Sequence, residues 1–577
     1  MNGMRQNGRC SPCLTLFNLF RASKMKKVPI KQQIADLAYL IKAYGINHVI
    51  ICPGSRNAPL IQVFHRDPHF RCYSCVDERS AGYFALGIAR TLREPVVVVT
   101  TSGTAALNLG PAVAEAFCQQ VPLILLTADR PKEWPPQFNN QVVDQQGIFS
   151  GNSKDFYEIP AEIADADTLA LVNSELSRII ATAAADSPGP VHLNILLKEP
   201  LYEEIPPRSA VAAYQTGNNY LNGKKTDKLL QADEDLISEY LTGRKKMMVL
   251  AGMHAYTSEE KYLLDSLSSI YQVVVIAENI SNLFSSLFIS RPELVLGALS
   301  EAGRQLLYPD LIIAFGGQVV SKKLKIFVQD LKKDCPVRAL DFFPLECFRS
   351  MVRKQEMTEE NRFLSIWKTA ENVACNKAQG LLNLADYCNL TAIGKAMDAI
   401  PEESVIHLGN SSVIRYAQLF PVRPDLRYFS NRGTSGIDGC LSVAVGSAMV
   451  SDSLHVAILG DLSFVYDSNG MWSRNFPDNL RIIVINDGGG GIFRILDGPD
   501  RMPFFEEFSV TRHPVSIRHL SEAFGLKHLI ARNFAELKSG LDDLFDTNTG
   551  SNVLEVETVN SENSRIFKQF FNSIRSS

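Results

Sequence analysis

Aliphatic, largely β-branched runs recur along this chain about one helix apart, and they constrain its fold more than any other feature. EPVVVVTTSG, VPLILLTADRP, PVHLNILLKEP, KKMMVLAG, YQVVVIAEN, DLIIAFGG, HVAILGD, LRIIVIND and SNVLEVET are the clearest. None alternates apolar with polar residues, so each reads as a strand buried on both faces, which requires a parallel sheet with helices on either side. Between the runs the apolar spacing becomes helical, as in IKQQIADLAYLIKAYGI, which ends at Gly45. Right-handed crossovers then predict an α/β chain of doubly wound parallel-sheet domains. At 577 residues the chain exceeds one core, and the strand–helix rhythm divides it into three units of similar size.

The expected boundaries are 25–210, 211–375 and 376–577, with the polar stretch PPRSAVAAYQTGNNYLNGKKTD as a linker between the first two. Residues 1–24 stand apart. Arg5 and Arg9 precede a short apolar stretch, LTLFNLF, without a small-residue cleavage site. A disordered leader, or initiation near Met25, is expected rather than a signal peptide. A net charge of -4 excludes a broad basic surface for nucleic acid, and no apolar run is long enough to cross a membrane. Eleven scattered cysteines point to reduced thiols in the cytoplasm. Cys10/Cys13 and Cys72/Cys75 have CxxC spacing, but one pair lies in the leader and the other in a strand-like run, so neither is assigned zinc.

Doubly wound sheets bind ligands beyond the carboxyl ends of their strands. Gly54-Ser55-Arg56, Asp77-Glu78, Ser102-Gly103-Thr104, Asp129-Arg130, Gly409-Asn410-Ser411, Gly460-Asp461 and Asn486-Asp487 all fall at such ends. Two neighbouring strands ending in oxygen-bearing side chains can grip a hard divalent cation that keeps room for phosphate. The alternative for each acid is a helix cap. Glu78, ahead of an alanine-rich helix, reads either as such a cap or as a buried acid with a raised pKa. Arg56, Arg130, Arg415, Arg432, Lys322 and Lys323 read singly as solvated charges. Together, in strand-end loops, they suggest a substrate with more than one carboxylate. His48, His65, His192, His407 and His455 sit in or beside strands, and no histidine is assigned to catalysis.

CPGSRNAPL, DERSAGYFALG, TADRP, NNQVVDQQGIF, VHLNILLKEPLY, GNSSVIRY, SNRGTSGIDG and LGDLSFVYD carry a further signal. With a strand-end Gly-Asp followed by Asn-Asp, and Glu78 in a separate domain, the chain resembles the thiamine diphosphate (ThDP)-dependent enzymes. Within them it is most similar to the 2-succinyl-5-enolpyruvyl-6-hydroxy-3-cyclohexene-1-carboxylate synthases of menaquinone biosynthesis. The resemblance runs from about residue 30 to the end. It implies three domains of the ThDP-enzyme type and a transferase that decarboxylates 2-oxoglutarate and adds the succinyl-semialdehyde carbanion equivalent to isochorismate in 1,4 fashion.

The resemblance also implies roles. Glu78 pairs with the cofactor pyrimidine. Asp461, Asp487 and the Gly489 carbonyl ligate Mg²⁺ or Mn²⁺. Ile437 is the wedge under the bent cofactor, and Ser411, Leu462, Ser463, Ile492 and Phe493 line its site. Ser55, Arg56, Arg130, Asn140, Gln141, Lys322, Ser411, Arg415 and Arg432 hold substrate, with Glu78, Gln141, Arg415 and Arg432 catalytic. A homodimer or homotetramer follows, with Glu78 acting across the interface. Asp487 departs from the Asn usual in such enzymes, adding a negative charge and, by expectation, shifting metal preference. Lys323 stands where some relatives have Arg. A rival ThDP enzyme with a dinucleotide in its middle domain is disfavoured, because KKMMVLAGMHAY and DLIIAFGGQVV lack GxGxxG. A non-catalytic sensor would have little need of Glu78.

Overall fold

The computed structural model describes residues 31–133, 140–185, 187–205, 230–331, 335–340, 343–353, 360–473, 476–496, 498–546 and 550–575. The expected leader, Cys10/Cys13 and the expected linker lie outside these residues.

Three parallel sheets form where the apolar runs predict them. The first holds β1 (His48–Ile51), β2 (Arg71–Ser74), β3 (Val96–Thr100), β4 (Leu123–Asp129), β5 (Asp155–Ile159) and β6 (Val191–Leu196), in the order β2-β1-β3-β4-β6-β5. The second holds β7 (Met247–Ala251), β8 (Val273–Ile276), β9 (Leu311–Phe315) and β10 (Val337–Ala339), in the order β10-β9-β7-β8. The third holds β11 (Val405–Leu408), β12 (Arg427–Phe429), β13 (His455–Gly460), β14 (Leu480–Asn486), β15 (Lys527–Ala531) and β16 (Asn552–Glu557), in the order β12-β11-β13-β14-β16-β15. Every pairing is parallel. The first and third sheets therefore repeat one topology, and in both the central strands are buried along their length.

The expected boundary at 375 falls inside one continuous helix, Arg362–Leu384. Its first half sends Phe363, Leu364 and Trp367 into the central domain's core. Its second half sends Ala374, Cys375 and Ala378 into the core of the third. One apolar stripe thus serves two cores.

The repeated domains meet through equivalent helices. Glu78–Leu92 follows β2 and Cys440–Ala448 follows β12. Small residues let the backbones touch: a Cβ on Gly87 would overlap the carbonyl of Val443, and one on Gly446 would overlap that of Phe84. Apolar side chains of both domains merge there into one buried cluster that includes Tyr83, Phe84, Leu441 and Val445. Polar ties fix the rest. Tyr83 donates to Asp438, Thr91 Oγ1 to Ser447 Oγ, and the amides of Gly433 and Thr434 donate to the fully buried carboxylate of Glu115.

Candidate active site

β13 and β14 pair in register up to Gly460 and Ile485, so the residues that follow lie side by side at the sheet's carboxyl edge. Successive strand residues face opposite ways, and this divides Asn486 from Asp487. Asn486 Nδ2 donates to Glu555 Oε1 on β16 at 2.6 Å, and its Oδ1 caps the amide of Gly488. Asp487 turns toward Asp461 instead. Its Oδ2 accepts from Asn389 Nδ2 at 2.8 Å and from Asn563 Nδ2 at 3.4 Å. Burial, and then the charge of Asp461, push its pKa up to about 7.

Asp461 is 2% exposed. Its Oδ1 accepts from the Leu462 amide, and its Oδ2 from the Gly489 amide at 2.8 Å and from His513 Nε2 at 3.2 Å. The hydrogen bond to Asp461 raises the His513 pKa against the opposing effect of burial. His513 lies in a loop 52 residues beyond Asp461, and no spacing motif marked it. The Gly488–Gly491 turn is built for close approach. Gly488 and Gly489 have positive φ, a Cβ on Gly489 would overlap the Val510 carbonyl, and one on Gly491 would overlap Asp487 Oδ2. The carbonyl of Gly489 accepts from the Gly491 amide and keeps a second lone pair.

The other expected cofactor residues surround this edge. Ser463 Oγ donates to the Ile437 carbonyl at 2.9 Å, which ties the SGIDG loop to the Asp461 helix. Asn410 Nδ2 reaches the carbonyls of Asn431 and Gly436, and Ser411 holds a left-handed φ of 74°. Ile437 and Leu462 are half-buried, Ile492 is buried and Phe493 is exposed.

Glu78 departs from expectation. The helix cap is Asp77, whose Oδ1 accepts from the amides of Arg79 and Ser80. Glu78 is left with no hydrogen bond or ion pair among the described residues, and it is half-buried rather than buried within one chain.

On the substrate side, Arg415 has no hydrogen bond or ion pair among the described residues. Arg432 makes one hydrogen bond, to Asn410 Oδ1 at 3.3 Å, and Nε of both arginines is unpartnered. Lys322 is exposed at the start of helix Lys322–Leu331. Lys325, one turn on, is the residue that approaches the arginines. Burial lowers its pKa and the charges of Arg432 and Arg415 lower it further, with Glu278 opposing. Lys323 N–H is taken by Glu293. The i+3 spacing from Lys322 is the signal that could have identified Lys325.

In the first domain, Gly54 abuts Thr101 and Gly103 abuts the backbone of Gln141, which gathers the 53–56, 101–103 and 140–141 turns at one edge. Ser55, Asn140 and Gln141 are exposed there. Arg56 is 7% exposed, donates to the Leu197 carbonyl and pairs with Glu199 at 3.2 Å. Burial lowers its pKa, and the charge of Arg130 lowers it further.

Residues 34–148 match the family model for the thiamine pyrophosphate enzyme N-terminal TPP binding domain, and residues 408–556 match the C-terminal TPP binding domain. The 2-succinyl-5-enolpyruvyl-6-hydroxy-3-cyclohexene-1-carboxylate synthase of Desulfotalea psychrophila is 39% identical over 86% of this chain and 93% of its own length. The enzyme of the same name from Flavobacterium johnsoniae is 34% identical over 95% of this chain and 99% of its own. The chain belongs to this synthase family. A synthase of this family needs ThDP, and the donor set fits the cofactor's cation. Two carboxylates and a backbone carbonyl are the hard oxygen ligands that Mg²⁺ or Mn²⁺ takes. Among the described residues no Lys or Arg pairs with Asp461 or Asp487, and no group of three or more His, Cys, Asp or Glu side chains offers a complete cage. The remaining ligands are left to the backbone and to the diphosphate.

Proposed function

We propose that this protein condenses 2-oxoglutarate with isochorismate, releasing CO₂ and forming 2-succinyl-5-enolpyruvyl-6-hydroxy-3-cyclohexene-1-carboxylate for menaquinone biosynthesis. The observation that carries the reading is the Asp461–Asp487 pair, two neighbouring carboxylates with no Lys or Arg partner among the described residues, in a chain of the synthase family. ThDP held there with Mg²⁺ or Mn²⁺ would supply the electron sink that makes loss of CO₂ from a 2-oxo acid feasible.

The chain's own residues do the rest. Asp461, Asp487 and the Gly489 carbonyl hold the cation. Ser411, Leu462 and Ser463 line the diphosphate end, and Ile437, Ile492 and Phe493 keep water from the reacting region. Glu78 holds a proton at the pyrimidine ring, and Gln141 lies near the reacting carbon. Arg415 and Arg432, with their unpartnered Nε atoms, receive substrate carboxylates. Arg56, Arg130, Lys322, Ser55 and Asn140 complete a site for two dicarboxylates.

Glu78 is unpartnered and half-exposed in one chain, which supports a homodimer or homotetramer in which Glu78 of the partner subunit enters this site. No disulfide joins the described cysteines, as the reducing cytoplasm would leave them. Among the described residues no helix is long and apolar enough to cross a membrane.

The test is turnover of 2-oxoglutarate plus isochorismate with and without ThDP and Mg²⁺. Product is expected only with both, and Glu78→Gln should lower kcat by about 10²–10⁴-fold, the usual range for a positioned proton carrier. Absence of product, or full activity in Glu78→Gln, contradicts the reading.

A further inference from the structure

The acid pair also bears on the order in which the site fills. We infer that Asp487 makes the protein a cation site in its own right: the divalent ion binds before the diphosphate and independently of it, and Asp487 gives up some grip on the diphosphate in exchange for grip on the ion. This rests on reading the site as one for ThDP and a cation.

Both carboxylates are held in place by donors of the protein itself. Asp461 is fixed by the amides of Leu462 and Gly489. Asp487 is fixed by the side-chain amides of Asn389 and Asn563. All four of these donors are neutral, and among the described residues no Lys, Arg or His pairs with Asp487. Gly491 gives Asp487 Oδ2 the space a Cβ would fill. The one partner among the described residues that can carry a positive charge is His513, on Asp461. Two fixed carboxylates facing each other repel, and a divalent ion between them removes that repulsion at little cost in reorganisation.

With Asn at this position the protein would supply one charge, and the ion would depend on the diphosphate for the rest. With Asp the protein alone balances the ion, so an arriving diphosphate meets a site with less residual positive charge. Ion and diphosphate then help each other less, and by linkage this reduced coupling appears in both affinities.

Mn²⁺ titrated into cofactor-free protein, with the free ion followed by electron paramagnetic resonance, tests the proposal. One saturable Mn²⁺ per chain is expected without ThDP. Asp487→Asn should weaken that binding by about tenfold or more, as removal of one of two charged ligands requires. At saturating Mn²⁺ the same variant should bind ThDP at least as tightly as the wild type, followed by intrinsic fluorescence quenching. Gly491→Ala, which displaces the Asp487 carboxylate without removing its charge, should weaken Mn²⁺ binding in the same direction and stands in if Asp487→Asn does not fold. No saturable Mn²⁺ binding by the wild type without ThDP, or unchanged affinity in a folded Asp487→Asn, overturns the proposal. No substrate enters these measurements, so a failure of the synthase assay and a failure of cation-first loading are separate results.

Discussion

The first and third domains share one strand order, yet they carry opposite chemistry at equivalent places. β3 and β4 correspond to β13 and β14. β3 leads into the uncharged turn Thr101-Ser102-Gly103, and β4 ends at Asp129, whose carboxylate accepts from Asn194 and from the Arg130 amide in a neighbourhood that includes Arg56 and Arg130. β13 and β14 lead to Asp461 and Asp487, with no Lys or Arg pairing among the described residues. The relation reverses at the helix that follows the second strand: Glu78 opens it in the first domain and Cys440 in the third. Topology supplies two similar carboxyl edges. In the proposed function, the charges placed on them suit one to a cation and the other to substrate anions.

The largest expected effect breaks that contrast outright. Asp461→Ala should weaken ThDP and Mg²⁺ retention by about two to three orders of magnitude, the scale on which one partner of a buried charged arrangement is lost. Asp129→Ala should leave Mn²⁺ affinity unchanged. Equilibrium dialysis of both variants measures the difference, and equal losses would mean that the two edges are not specialised.

A second contrast concerns the seam between the domains. Asp467 is fully buried and accepts from the amide and hydroxyl of Ser442, and burial pushes its pKa up to about 7. A folded-state pKa above the ordinary carboxylate value means that the folded chain binds the proton more tightly. The stability this contributes is fully present below about pH 4 and is lost as the pH rises through about 7. Asp467→Asn should therefore flatten the decline in melting temperature across that window. A wild-type profile already flat between pH 4 and 7 would contradict the assignment.

The helix seam gives a smaller effect. Gly87→Ala should lower stability by about 1–3 kcal/mol, as overpacking does, because its Cβ would overlap the Val443 carbonyl. Gly380, in helix Arg362–Leu384, has open space around a Cβ. Gly380→Ala should stabilise by about 0.5–1 kcal/mol through helix propensity. Thermal unfolding distinguishes the two, and equal shifts would remove the close-contact account of the seam.

The sheets were legible because VVVVT, LILLTAD and LRIIVIN are buried on both faces and carry no polar interruption. DFYEI and RYF were harder to place because these short strands are partly exposed and their residues answer to two environments. At the site, strand ends marked Gly460-Asp461 and the Asn486-Asp487 pair, and the family resemblance singled out Asp487; the opposite facing of Asn486 and Asp487 came only with the fold. What sequence could not show depended on folding distant segments together. His513 reaches Asp461 from a separate loop, and Lys325 reaches the arginines only through the phase of its helix. Glu115 could have been noticed as the lone acid in the apolar run GPAVAEAFC, and its partners Gly433 and Thr434 lie more than three hundred residues away. Glu78 was expected to be buried, and in one chain it is half-buried; in the proposed oligomer the covering surface would belong to a second copy.

The central proposal is that one site takes its cation ligands from the third domain of one chain and Glu78 from the first domain of another. Mixing two inactive variants tests it most directly. Glu78→Gln and Asp461→Ala proteins, unfolded and refolded together, should form mixed dimers in which one site carries both defects and the other carries neither. Synthase activity should return to about a quarter of wild type, since random pairing makes half the dimers mixed and half of their sites intact. If both residues of each site come from the same chain, every site keeps one defect, and no activity will return.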